Sequence, residues 1–144
     1  MTLTLLTSAA RTASDVVAIA TISRFERVKA VSFFLSVTAA ATDAGDTLDV
    51  YIQHSPDGGS NYDDFVHFTQ VLGNGGAKKY VATWVRDVTP ESELHALADA
   101  GLAAGVLQGP VAPVWRVKWV IVDAGTVNVS FTFSLVATPI YGYP

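Results

Sequence analysis

The residues of this chain with chemistry to offer are three histidines and two groups of aspartates. His54, His67 and His95 are the histidines; Asp43, Asp46 and Asp49 precede His54, and Asp57, Asp63 and Asp64 follow it. Imidazoles and carboxylates brought together can ligate zinc or shuttle protons, and closely spaced carboxylates can hold calcium or act as a general acid–base pair. The spacing argues against each of these. No HExxH run is present, and without cysteine there is no thiolate ligand. Asp43, Asp46 and Asp49 could attract a cation but are spaced less tightly than the ligands of an EF-hand loop. A catalytic carboxylate pair needs a pocket and shifted pKa values, which Asp57, Asp63 and Asp64 do not supply as sequence. Gly73-Asn74-Gly75-Gly76 leads into a strand and lacks a following Lys-Ser/Thr, so it reads as a turn and not a phosphate loop. There is no Gly-x-Ser-x-Gly elbow and no dinucleotide fingerprint. The expectation is a chain with no catalytic residue, no metal and no cofactor.

Aromatic side chains offer a different chemistry, stacking on sugars. Trp84, Trp115, Trp119, Tyr51, Tyr62 and Tyr80 are the candidates. Trp115 and Trp119 share the apolar side of an alternating run and belong to a core. Trp84 and Tyr80 remain as the candidate platform.

The elements that carry these residues read as strands. Leu48–Phe68 is two alternating runs around Ser-Pro-Asp-Gly-Gly, with Val50 and Ile52 on one face and Asp49, Tyr51 and Gln53 on the other. Asp57 can accept backbone N–H bonds, while Gly58 and Gly59 tolerate positive φ, which predicts a hairpin of pinned register. Lys29–Thr38 places Val31, Phe33, Leu35 and Val37 on one face. Lys78–Arg86 and Val114–Val122 alternate as well, the latter with Arg116 and Lys118 opposite the tryptophans. Asp123–Thr126 reads as a hairpin turn into Val127–Ala137, and Val16–Ser23 as a buried strand. Thr89-Pro90-Glu91-Ser92-Glu93 looks like a capped helix start, giving a short helix or irregular segment near 90–101. Leu102–Pro113 carries no charge. Seven or eight strands at this spacing predict one all-β domain over 1–144, an antiparallel β-sandwich of jelly-roll type. An N-terminal arm (about 1–12), whose alternating Thr and Leu at 2–7 also suit a short edge strand, and an aromatic C-terminal tail (139–144) flank it. The core should include Val31, Phe33, Leu35, Val50, Ile52, Val117, Trp119, Phe131 and Phe133.

Charged residues are 15% of the chain, against about 25% in an average soluble domain. Such a surface is suited to lying against other subunits. The net charge of −4 and scattered Lys and Arg argue against nucleic-acid binding. The N-terminus lacks a positively charged leader pattern, and no run approaches the ~18 apolar residues of a membrane span.

Ser55-Pro56-Asp57-Gly58-Gly59-Ser60-Asn61-Tyr62 is similar to the Asp-box hairpin of sialidases and other propellers, Ser-x-Asp-x-Gly-x-Thr-Trp, with Asn61 and Tyr62 replacing Thr and Trp. Propellers carry several copies and this chain has one, so the likeness supports the hairpin alone. The stretch Leu48–Phe68, with the Trp-Arg-Val-Lys-Trp and Val-Asn-Val-Ser-Phe-Thr-Phe-Ser strands, resembles small virion proteins of tailed bacteriophages. That resemblance implies a capsid decoration, or cement, protein that bridges major capsid subunits as a dimer or trimer. It implies assembly in the host cytoplasm and residence in the virion. Its alternatives are a head–tail connector or tail component, and a carbohydrate-binding module. Partner contacts are expected at Leu102, Val106, Leu107, Pro110, Pro113, Tyr141 and Tyr143, where apolar or aromatic groups lie in charge-poor segments.

Overall fold

The chain doubles back once, at the turn after Ser55, and everything else follows from how the resulting ribbon is rolled. The computed structural model describes residues 1–20, 22, 24–88 and 96–142. Its strands are β1 (Leu3–Arg11), β2 (Asp15–Ile19), β3 (Val28–Ala39), β4 (Thr47–Ser55), β5 (Asp63–His67), β6 (Val71–Leu72), β7 (Lys78–Val85), β8 (Gly105–Val106), β9 (Val114–Val122) and β10 (Phe131–Tyr141). Outward from the turn, β4 pairs with β5, β3 with β7, β2 with β9 and β1 with β10, all antiparallel. The ribbon then closes on itself through β10 with β3 and β9 with β4. The result is one sheet ordered β1-β10-β3-β7 and another ordered β2-β9-β4-β5, the second extended by β8 on β5 and by β6 on β4. Two antiparallel sheets made from one rolled ribbon are a jelly-roll sandwich.

Alternation explains which faces meet. The nine core residues expected from the sequence are each at most 5% exposed. Phe33, Phe65, Trp84 and Trp115 meet edge-on or tilted at the centre, with ring centroids 5.1–6.4 Å apart, the arrangement aromatic quadrupoles favour.

Several sequence expectations are corrected. Asp123–Thr126 is no hairpin turn: β9 and β10 lie in different sheets, and residues 123–130 carry the chain across. Asp46 and Asp43 hold this crossing by accepting the N–H groups of Ala124, Gly125 and Val127, so β10 begins only at Phe131. The described part of the run at Val16–Ser23 is not a buried strand. β2 is an edge strand paired only with β9, and Val16 and Val17 are exposed; their β-branching serves strand geometry and not burial.

Neither terminus is a free extension over its full length. Residues 3–11 form β1 on β10, and Pro139–Tyr141 complete β10 against β3. Pro139 is tolerated there because it lies past Ala137, the last partner of β1, where one edge of β10 is open. The helix start at Thr89–Glu93 lies outside the described residues, and residues 96–101 are irregular.

Candidate functional site

The polar residues singled out on the hairpin do come together, on the outer face of β4, β5 and β9. A β-bulge makes this possible. Between Ile52/Gln53 on β4 and Asp64/Val66 on β5 the register shifts by one residue. Phe65 and Val66 are both wholly buried, while Asp64 and His67 both take the outer face. In an unbroken strand, two residues three apart would point to opposite faces.

The outer face closes over the segment Asp99–Leu102. Asp64, 2% exposed, accepts three consecutive backbone N–H groups, from Ala100 (2.9 Å), Gly101 (2.9 Å) and Leu102 (3.0 Å). Ala100 sits at φ 59°, a left-handed turn that aims these donors at one carboxylate. Gln53, fully buried, donates to Asp64 and Asp99 at 2.7 Å each, and its carbonyl oxygen accepts from Arg116 Nε at 2.7 Å. Lys118 Nζ reaches Asp99 at 2.8 Å. The Tyr51 hydroxyl donates to the Ala100 carbonyl, and its ring stacks on His67 at 4.2 Å. His67 lies between two acceptors, the Leu102 carbonyl oxygen at Nδ1 (2.7 Å) and the Asp49 carboxylate at Nε2 (2.8 Å), and Gln70 donates to the other Asp49 oxygen.

Electrostatics follow from these contacts. Burial alone would raise the Asp49 pKa, but hydrogen bonds from His67 and Gln70 and the nearby His67 charge outweigh it, and the group lies below its usual value. Asp99 is lowered chiefly by its Lys118 hydrogen bond, with Gln53 assisting. Burial, with Asp49 and Asp64 nearby, pushes the Tyr51 hydroxyl up to about 12. An Asp–His pair can serve as an acid–base catalyst when the second imidazole nitrogen faces a substrate. Here that nitrogen faces the protein's own Leu102 carbonyl. Both oxygens of Asp64 are likewise committed to the chain's own donors. The arrangement clamps a loop.

The remaining candidates are spread apart. His54 accepts the Ala112 N–H at Nδ1, and burial lowers its pKa. His95 lies outside the described residues. Asp43 and Asp46 serve the crossing at 123–127 while Asp49 serves His67, so the three do not converge; no group of three or more metal-ligating side chains occurs among the described residues. Trp84 cannot be a sugar platform: it is wholly buried and donates its indole N–H to the Gly109 carbonyl at 2.8 Å. Tyr80 is half-buried against the core.

At the ribbon tip, Asp57 accepts from Asn61 through backbone and side chain, from the Ser55 hydroxyl and from the Ser60 N–H. These bonds, the Asn61 backbone first, hold its carboxyl far below the usual range. Gly58 and Gly59 have φ of 76° and 110°.

The uncharged segment 102–113 ties the two sheets together at their β5 and β7 edges. Val106 pairs with β5 in β8, and Leu107 donates its N–H to Phe65; both side chains pack on the core. Gln108, which the sequence did not single out, acts as a substitute strand residue for β7, accepting from Val85 N–H at 2.6 Å and donating to Thr83 C=O at 2.8 Å. Leu102 is half-buried, Pro110 and Pro113 are exposed, and Tyr141 is 38% exposed at the end of β10. Tyr143 lies outside the described residues. Comparison with protein-family models, with curated proteins and with solved structures yields no match.

Proposed function

We propose that this chain is a non-enzymatic virion structural protein, a capsid decoration protein that cements adjacent major capsid subunits of a tailed bacteriophage. The observation that carries the reading is the fate of its densest polar cluster. Gln53, Asp64 and His67 spend hydrogen bonds on the chain's own Asp99–Leu102 segment, and Asp49 spends its own on His67 and Gln70. The resemblance of the hairpin and the two C-terminal strands to small phage virion proteins points the same way. So does the jelly roll, an architecture that viral capsid and lectin domains use, although a fold alone does not assign a function. Pro110, Pro113 and Tyr141 are the exposed contact candidates of the segments singled out; Val106 and Leu107 would act indirectly, by fixing the shape of the loop.

A cement protein works by mass action. It binds the assembled shell and not separated subunits, so its binding free energy adds to shell stability. The test mixes purified protein with capsids lacking it and, separately, with tails, and then sediments the particles. Co-sedimentation with capsids at a copy number near that of the major capsid subunit supports the proposal. Binding to tails alone transfers the protein to the connector or tail class. Retention on a glycan array without particle binding favours a carbohydrate-binding module, at a site other than Trp84.

A further inference from the structure

We infer that the outer face of the β1-β10-β3-β7 sheet is the contact surface of a two-fold dimer of this chain. The strand register builds a stripe across all four strands: Thr4 pairs with Val136, Val136 with Phe34, and Phe34 with Val81. Phe34 is 42% exposed and Val81 60%. A shallow depression of about 380 Å³ beside them is lined mainly by apolar surface. The flanking rows are almost entirely hydroxyl residues. Ser32 and Thr83 satisfy each other across strands at 2.9 Å, and Lys79 is the one charge in the three rows.

Charge and area both select a second copy as the occupant. A partner recognised by charge finds a single cation here, whereas a second copy presents the same neutral, striped surface, and a two-fold operation lays stripe on stripe. Sheets stack in this way about 10 Å apart with strands rotated by roughly 30°. Four strands at ~4.8 Å and ~10 residues at ~3.3 Å give about 600 Å² per copy. Two such faces together clear the roughly 1,000 Å² that a specific interface needs. Among the described residues the other sheet offers no equivalent, because Asp99–Leu102 and the Arg116 and Lys118 side chains cover its outer face over β4, β5 and β9.

The inference does not rest on the capsid reading, since it is measured on the purified full-length protein alone. Sedimentation velocity across micromolar concentrations should give a dimer for the parent. It should give a monomer for Phe34→Asp and for Val81→Asp, both with the parent's far-ultraviolet circular dichroism. Val122→Asp, at an exposed position on β9 of the other sheet, should stay dimeric. Val81→Ser introduces no charge at a largely exposed site, keeps the test open if an aspartate variant fails to fold, and should weaken the dimer at least tenfold. A monomeric parent overturns the inference. So does a dimer unchanged in folded Val81→Ser, or one lost equally in Val122→Asp.

Discussion

At the scale of single residues, the fold depends on a few positions whose backbone or burial admits no substitute. Gly59, at φ 110°, occupies a conformation that a β-branched side chain resists. Gly59→Val should cost roughly 1–3 kcal/mol in urea titration, and a midpoint equal to the parent's would remove the turn from the account. Phe133 is wholly buried and stacks edge-on against Trp119 at 5.9 Å. Phe133→Ala should cost about 3–5 kcal/mol. The lowered aspartates set the acid limb of stability. Asp49, Asp57 and Asp99 all have folded-state pKa values below their ordinary ones. Each therefore contributes stability above the unfolded value of about 3.9, and that contribution is lost as pH falls through the folded value. Urea midpoints should fall modestly from about pH 7 to 5, because His54, held below its ordinary value of about 6.5 by burial, gains a proton on unfolding there, and they should decline more steeply below about pH 4 as the aspartates protonate. Asp49→Asn should lower the midpoint at pH 7 and flatten that decline; an unchanged decline would mean that the His67 and Gln70 contacts do not hold in solution. The Asp57 turn was legible because Asp, Gly and Gly act through local geometry. His67 and Asp64 were visible as residue types, but their convergence depends on the Phe65 bulge, which no alternation pattern reveals.

Elements were legible where side-chain period alone decides them. The inward sides of β3, β4, β9 and β10 followed from alternation of apolar and polar residues, although the outer residues Asp49, Tyr51 and Gln53 of β4 are buried as well, beneath the clamped segment. Pairing was less visible. The turn at Asp123–Thr126 has hairpin composition, yet the aspartates holding it come from the β3–β4 connection, some 80 residues away in sequence. The uncharged segment 102–113, where partner contacts are expected, also has a role inside the sandwich that its composition does not reveal. Leu107 and Val106 fill the gap between sheets, and Gln108 pairs with an open strand edge. The clamp over Asp99–Leu102 makes its own prediction. Asp64→Ala removes the shared acceptor of three N–H groups and should cost about 2–4 kcal/mol. Hydrogen exchange at Ala100, Gly101 and Leu102 should accelerate far more than at core amides of β3 and β10. Uniform acceleration across both would mean that Asp64 supports the whole sandwich and not the segment.

At the scale of the whole molecule, a rolled ribbon with one sheet face left uncovered by the described residues and one clamped face suits a protein whose work is contact. Truncation after Thr138, expected from the sequence to leave the domain folded and weaken its attachment, deletes the Pro139–Tyr141 end of β10 and unpairs Val28–Val31 of β3 from that strand. It should destabilise the fold, so Tyr141→Ser is the cleaner probe of attachment. The measurement that tests the cement reading most directly is calorimetry of capsids lacking this protein, before and after its addition. The account predicts that the disassembly temperature of the shell rises with added protein and saturates as sites fill, with Tyr141→Ser requiring higher concentrations for the same rise. A shell transition unmoved at saturating protein would contradict it.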